Sequence, residues 1–223
     1  MNITYIHHSC FLVETDRYYF LFDYVKGQLP ELDAKKPIFV LSSHSHGDHY
    51  NPSVFPLLGA AGMGQVRAIL SDDITPPPQV DVLQVSPAQV HELDCELKLT
   101  TFRSTDLGVA FLIEDRGTLI YHAGDLNDWV WDEETDAYNE EMTASYRKQI
   151  DFLSRELGQR EIDAAFAVLD PRQEKDYDRG LCYFLEHVPA KKVYPMHYWE
   201  EPSIIETFLK DHPQYTPQIQ KTE

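Results

Sequence analysis

Ile38-Phe39-Val40-Leu41-Ser42-Ser43-His44-Ser45-His46-Gly47-Asp48-His49 is the stretch from which the rest of the chain is read. Four apolar residues without a charge have the pattern of a buried strand. Directly after them come three imidazoles and a carboxylate within six positions, and these are ligand types for divalent cations. Alternate residues of a turn point the same way, so His44 and His46 address one cation, while Asp48 and His49 begin the next turn and address a neighbour. One loop thereby serves two ions. Gly47 suits a loop that bends tightly. The plainer alternative is a solvated polar loop whose imidazoles are incidental hydrogen-bonders; the density of ligand types weighs against it.

Three later runs repeat the pattern of an apolar strand that ends in a polar side chain: Leu119 to Asp125, Ala164 to Asp170, and Val193 to His197. Buried strands that each deliver a His or Asp at their C-terminal ends build a common rim, which is where α/β proteins place their sites. Asp125 and His197 then complete a ligand set with the first loop. Supporting roles fall to His8 and His122, each read either as a group behind the ligands or as a satisfied core histidine. Asp170 either fixes the tautomer of a ligand histidine or pairs internally with Arg172, which otherwise reads an anionic substrate group. Trp129-Val130-Trp131 is either a pocket wall or core packing.

The first forty residues read as strands near Ile3–Ile6, Cys10–Glu14, Tyr18–Phe22 and Ile38–Leu41. Asn51-Pro52 predicts a short helix from Pro52 to about Leu58. Strands follow at Ala68–Leu70, Val82–Val85 and Glu96–Phe102, and helical spacing over Thr143–Leu157 ends at Gly158. Beyond it, helices alternate with strands. Phe11-Leu12-Val13-Glu14 with a run ending at Asp23 resembles Phe111-Leu112-Ile113-Glu114 with a run ending at Asp125, about a hundred residues on. Either the chain has two similar halves, or two unrelated hairpins share a common pattern.

At 223 residues the chain suits a single domain, 1–223, with a sizeable core. Its 19 Lys and Arg against 37 Asp and Glu give a formal charge of -18, which repels a phosphate backbone and anionic lipid surfaces. Nucleic acid is therefore a poor substrate, and no apolar stretch approaches the ~20 residues of a membrane span. Cys10, Cys95 and Cys182 are odd in number and lack a Cys-x-x-Cys pair, which with a start lacking a secretory pattern points to the cytoplasm.

The combination of His44-x-His46-x-Asp48-His49, a later Gly124-Asp125 after a strand, and the strand-ending His197 resembles the metallo-β-lactamase superfamily across nearly the whole chain. The resemblance implies an α/β fold, an αββα four-layer sandwich with ligands at the edge where two sheets meet. It assigns His44 and His46 to a first metal, Asp48, His49 and His197 to a second, and Asp125 as a bridge. Thr105-Asp106-Leu107-Gly108-Val109, His122-Ala123-Gly124-Asp125 and Asp170-Pro171-Arg172 look most like the branch containing L-ascorbate-6-phosphate lactonase.

One departure stands out. The family supplies a third histidine to the first metal from the segment that here reads Arg103-Ser104-Thr105-Asp106. Either Asp106 substitutes as an oxygen ligand, or it fixes a turn and the first site is weak or empty. Oxygen donors bring manganese into play beside zinc. The expected function is hydrolysis of a small-molecule ester, lactone or phosphodiester, with Asp48 or Asp125 orienting the water. The alternatives are a nuclease of the same superfamily and an inactive metal-binding sensor. A β-lactam substrate conflicts with a cytoplasmic location, and oligomeric state leaves no trace in one sequence.

Overall fold

A computed structural model describes residues 1–221. The chain divides into two compact units, Met1–Ser86 and Pro87–Glu223, each with a six-stranded sheet of its own.

In the first unit the strands are β1 (Asn2–His7), β2 (Cys10–Glu14), β3 (Tyr19–Phe22), β4 (Ile38–Ser42), β5 (Val66–Ser71) and β6 (Asp81–Val85), in that spatial order. The first three pair antiparallel and the rest pair parallel. β4 is buried at every residue, as its uninterrupted apolar run predicts for a central parallel strand. Helix α1 (Val54–Ala60) buries Val54 and Leu58 in a cluster with Cys10, Leu12, Leu21 and Val40. It starts two residues later than Asn51-Pro52 predicts. Asn51 Oδ1 accepts from Ser53 N at 3.0 Å and its amide donates to Val25 O at 2.8 Å, so Asn51 builds the turn before the helix.

In the second unit β7 (Val90–Asp94), β8 (Leu97–Arg103), β9 (Val109–Asp115), β10 (Thr118–His122), β11 (Ala164–Val168) and β12 (Val193–Met196) lie in consecutive order. β7 to β10 pair antiparallel, and β10, β11 and β12 pair parallel. Helix α2 (Asp136–Leu157) begins seven residues before the predicted Thr143. Its N-cap is Thr135, whose side chain accepts from Tyr138 N, and its first two turns are polar, so apolar spacing could not mark them. Tyr146, Ile150, Leu153 and Leu157 form its buried stripe, and Gly158 ends it at φ +61°. Helices α3 (Arg179–His187) and α4 (Ser203–Asp211) follow, and Tyr146 Oη ties α2 to α3 by donating to Gly180 O at 2.7 Å.

The similarity between residues 11–23 and 111–125 corresponds to a repeated arrangement. An antiparallel hairpin (β2–β3, β9–β10) is followed by two parallel strands (β4–β5, β11–β12) in both units. Parallel strands leave their C-terminal ends on one edge, so each unit concentrates its strand-end polar residues there. Cys10 is buried, Cys95 exposed and Cys182 half-buried. Among the described residues no helix is long and apolar enough to cross a membrane.

Candidate metal centre

In the first unit the loop after β4 turns tightly, with His49 N and Tyr50 N both donating to His46 O at 3.0 Å. Ser45 N donates to Asp73 Oδ2 at 2.8 Å, which fastens the outer side of the loop. His44 Nε2 and His46 Nδ1 stand 3.0 Å apart, so these alternate residues do converge. Asp48 and His49 turn to a different place. There His8 joins them, its Nε2 3.6 Å from Asp48 Oδ2 and its ring 5.7 Å from that of His49. The His44 ring lies between those of His46 and His49, 4.5 Å from the first and 4.2 Å from the second.

Behind this loop lies Asp23, at the end of β3 and with no exposed surface. It accepts from Ser43 N and Ser43 Oγ at 2.7 Å each, and its Oδ2 is 2.8 Å from His49 Nδ1. A carboxylate on Nδ1 fixes the ring orientation and leaves Nε2 as the outward donor, the usual support behind a metal-ligating histidine. Sequence reasoning gave Asp23 no role. The available signal was its place in the repeat, where it corresponds to Asp125.

The second unit supplies a matching pair. His197, after β12, has Nδ1 2.9 Å from Asp170 Oδ2 and Nε2 3.3 Å from Asp125 Oδ1. Burial alone would raise the Asp170 carboxyl, but hydrogen bonds from His197 and Arg172 and the charge of His197 hold it down at about 2. Asp170 thus meets both partners, with Oδ2 at His197 Nδ1 and the Nε and Nη2 donors of Arg172 on the same carboxylate. The Arg172 guanidinium lies 4.7 Å from the ring centre of Trp199.

Asp106 is exposed, and its carboxylate comes within 4.8 Å of that of Asp125. Its N–H donates to Ser104 Oγ at 3.1 Å, so it sits in a side-chain-fixed turn while still presenting oxygen toward Asp125. Thr105 Oγ1 locks this loop to the Asp125 loop, donating to Asn127 O at 2.6 Å and accepting from Asn127 N at 3.0 Å. His122 is a buried core histidine whose Nδ1 accepts from Gly124 N at 3.1 Å, which shapes the Asp125 turn from behind. Trp129 is buried: its indole donates to Asp125 O at 2.9 Å and its ring lies 5.6 Å from His197.

His8, Asp23 and His197 all have positive φ, at +55°, +44° and +66°. Non-glycine residues in that region carry backbone strain of the order of 1–3 kcal/mol, which persists where surrounding structure fixes a functional geometry.

A model of the "Beta-lactamase superfamily domain" family matches residues 2–140, more than half of the chain and across the boundary between the two units. The chain belongs to the metallo-β-lactamase superfamily. No curated protein matches it. Among solved structures, this superfamily member resembles Igni18, a metallo hydrolase from the hyperthermophilic archaeon Ignicoccus hospitalis, at 17% identity and a TM-score of 0.69, with 99% of this chain and 94% of that one covered. It resembles CmlA, a diiron β-hydroxylase from Streptomyces venezuelae, at 13% identity and a TM-score of 0.64, over 99% of this chain but 52% of the other. Human tRNase Z, short form, is similar at 14% identity and a TM-score of 0.52, over 90% and 94%. These likenesses establish the α/β fold that the sequence resemblance implied. The three names span different reactions, so the fold of the superfamily does not select one.

The donors fit a metal of the kind the superfamily holds. In each unit a carboxylate-backed imidazole stands near a further carboxylate, Asp48 in the first and Asp125 in the second, and these are donor types for a divalent transition metal.

Proposed function

We propose that this chain is a metal-dependent hydrolase of a small-molecule ester, lactone or phosphodiester, with both units working as a single domain. The observation that carries the proposal is the duplicated carboxylate–imidazole pair, Asp23 on His49 and Asp170 on His197, each buried and each fixing Nδ1. Support of this kind is expected behind ligands and is costly to maintain without one. His44 and His46 would hold one cation, His49, His197 and Asp48 a second, and Asp125 would be shared. His8 is placed to assist the second group and Asp106 to complete the first with oxygen.

A divalent cation so held supplies Lewis acidity toward a carbonyl or phosphoryl oxygen and acidifies water. The chain's own residues do the positioning. The carboxylates of Asp48 and Asp125 accept a hydrogen bond from the attacking water and aim it. Asp170 keeps the His197 ring from turning. Arg172, anchored by Asp170 through Nε and Nη2 and half-exposed beside Trp199, brings a positive charge that suits an anionic group of the substrate. Resemblance to the L-ascorbate-6-phosphate lactonase branch favours a substrate that pairs a strained ester with a phosphate. Zinc is the first candidate ion and manganese the second, and the cysteine pattern favours a cytoplasmic location.

The superfamily also contains nucleases, but a charge of -18 opposes binding of a polyanion. Metal content by mass spectrometry, on wild type and Asp106→Ala, tests the centre first. Two ions falling to one in the variant would make Asp106 a ligand; one in both would leave it a turn residue; none in either sinks the metalloenzyme. Hydrolysis of a chromogenic phosphodiester and a lactone with zinc or manganese added tests the chemistry. Inactivity toward all substrates at full metal occupancy would favour a sensor.

A further inference from the structure

Away from the centre described above, Asp178, Cys182 and His212 converge within the second unit. Asp178 and Cys182 are four residues apart at the start of α3, on one face of the helix, and Glu186 lies a further turn along that face. His212 ends α4 and approaches from the other side. All four side chains line a cavity of about 360 Å³.

The geometry around His212 excludes the more familiar use of such residues. In a nucleophilic Cys–His–Asp arrangement the two ring nitrogens divide the work, one facing the thiol and the other the carboxylate. Here the Asp178 carboxylate (2.6 Å) and the Cys182 sulfur (3.6 Å) both meet the same atom, Nε2. A single ring nitrogen cannot relay between them. Three donor atoms of different types that approach one point are instead arranged as ligands of a common ion.

The distances suit that use. With zinc–sulfur and zinc–nitrogen bonds of about 2.3 and 2.05 Å, a tetrahedral ion holds its sulfur and nitrogen ligands about 3.5 Å apart, and Cys182 Sγ and His212 Nε2 stand at 3.6 Å. Asp178 sits closer, at hydrogen-bonding distance, and moves out by about 0.7 Å when an ion replaces the shared proton. Asp178 is also the N-cap residue of α3, yet its side chain makes no capping hydrogen bond and turns to His212 instead. That choice forgoes the helix stabilisation a capping aspartate ordinarily contributes. The cavity's two arginines are engaged with other groups. Arg179 is paired with Asp128 at 3.3 Å and Asp176 at 3.5 Å, and Arg147 lies over the ring of Tyr183.

We propose that Asp178, Cys182 and His212 form a separate binding site for a zinc-type divalent cation, with Glu186 or water in the fourth position. Binding displaces the thiol proton of Cys182 and the proton between Asp178 and Nε2, and cross-links α3 to the end of α4. A mixed sulfur, nitrogen and oxygen set selects zinc or cobalt(II) over magnesium or calcium.

Cobalt(II) titration of the full chain under reducing conditions tests this, because thiolate ligation produces a near-ultraviolet charge-transfer band and the superfamily centre contains no cysteine. The band is expected in wild type, in Cys95→Ser and in no Cys182→Ser sample, with at least tenfold weaker cobalt binding in His212→Gln. Zinc should displace it. As a measurement that needs no variant, saturating zinc should slow modification of Cys182 by a thiol reagent at least tenfold, located by peptide mass. A wild-type protein without the band at saturating cobalt, a band that survives Cys182→Ser, or zinc-insensitive labelling of Cys182 each overturns the site, whatever the metal content of the centre elsewhere.

Discussion

Asp170 grips His197 through a 2.9 Å contact between Oδ2 and Nδ1, with the carboxylate fully buried and the ring 2% exposed. The same carboxylate receives Arg172, so one anion sets both the aim of the His197 ring and the position of a guanidinium. Asp170→Asn keeps the volume and loses the charge. It is expected to lower metal affinity or turnover 10- to 100-fold, the range typical for a carboxylate behind a ligating histidine. Titration with zinc and a kinetic assay on the folded variant check this; unchanged metal affinity would reduce Asp170 to a packing residue. Asp23→Asn should act likewise through His49.

Arg172 separates binding from chemistry. Its Nε and Nη2 donate to Asp170, and half its side chain is exposed, so its charge is felt by an anionic group arriving from solution. Arg172→Lys breaks the fork geometry and is not a conservative change at such a site. The variant is expected to raise KM about tenfold for a phosphate-bearing lactone, equivalent to about 1.4 kcal/mol, and to leave KM for a neutral lactone unaltered. Equal effects on both substrates would confine Arg172 to supporting Asp170.

The candidate ligands were legible because they follow strands, and these strands announce themselves as apolar runs: Ile38 to Leu41, Leu119 to Tyr121 and Val193 to Met196. The groups behind them were less so. Asp23 sits among apolar neighbours with nothing local to mark it, and only its correspondence with Asp125 one repeat later hinted at a role. His8 resembled any strand-end histidine until folding brought it to Asp48. Edge strand β7 escaped notice because Val90 is 56% exposed and its pattern carries little apolar alternation. The first turns of α2 were hidden by their acidity, which suits a helix start near the positive end of the dipole but lacks apolar periodicity.

Acid should weaken one surface contact in a defined direction. The hydrogen bond from Lys36 Nζ, at 2.6 Å, holds the Glu14 carboxyl below its usual value. A carboxyl depressed in the folded state stabilises above its unfolded pKa of about 4.3, and that contribution is lost as pH falls through the lower folded value. Glu14 is about one-third exposed, so solvent screening limits the contribution to under about 1 kcal/mol. Glu14→Gln should therefore be slightly less stable than wild type at pH 7, with the gap closing below about pH 4. Urea midpoints at pH 7 and pH 3 check the sign. A gap that stays constant between them would assign the effect to packing.

Gly180 sets two ordinary rules against each other. It lies in the first turn of α3, where alanine would gain about 1 kcal/mol in helix propensity. A Cβ there, however, would collide with Asn127 Oδ1 and press on Asp128 N at 3.2 Å. Asn127 cannot simply swing aside. Its amide donates to Gln173 Oε1 at 2.7 Å, and its backbone is the point where Thr105 joins the two loops beside Asp125. Overpacking against such a fixed neighbour costs about 1–3 kcal/mol, and breaking a buried hydrogen bond adds about 1–3 kcal/mol more, so the clash outweighs the propensity. Gly180→Ala is expected to be less stable than wild type by about 1–5 kcal/mol and to bind metal more weakly, since the displaced Asn127 moves the Thr105 tether of the Asp125 loop. Urea unfolding together with zinc titration checks both parts. A variant as stable as wild type would mean that Asn127 yields without cost, and a destabilised variant with unchanged zinc affinity would mean that the Asp125 loop holds its shape without the Thr105 tether.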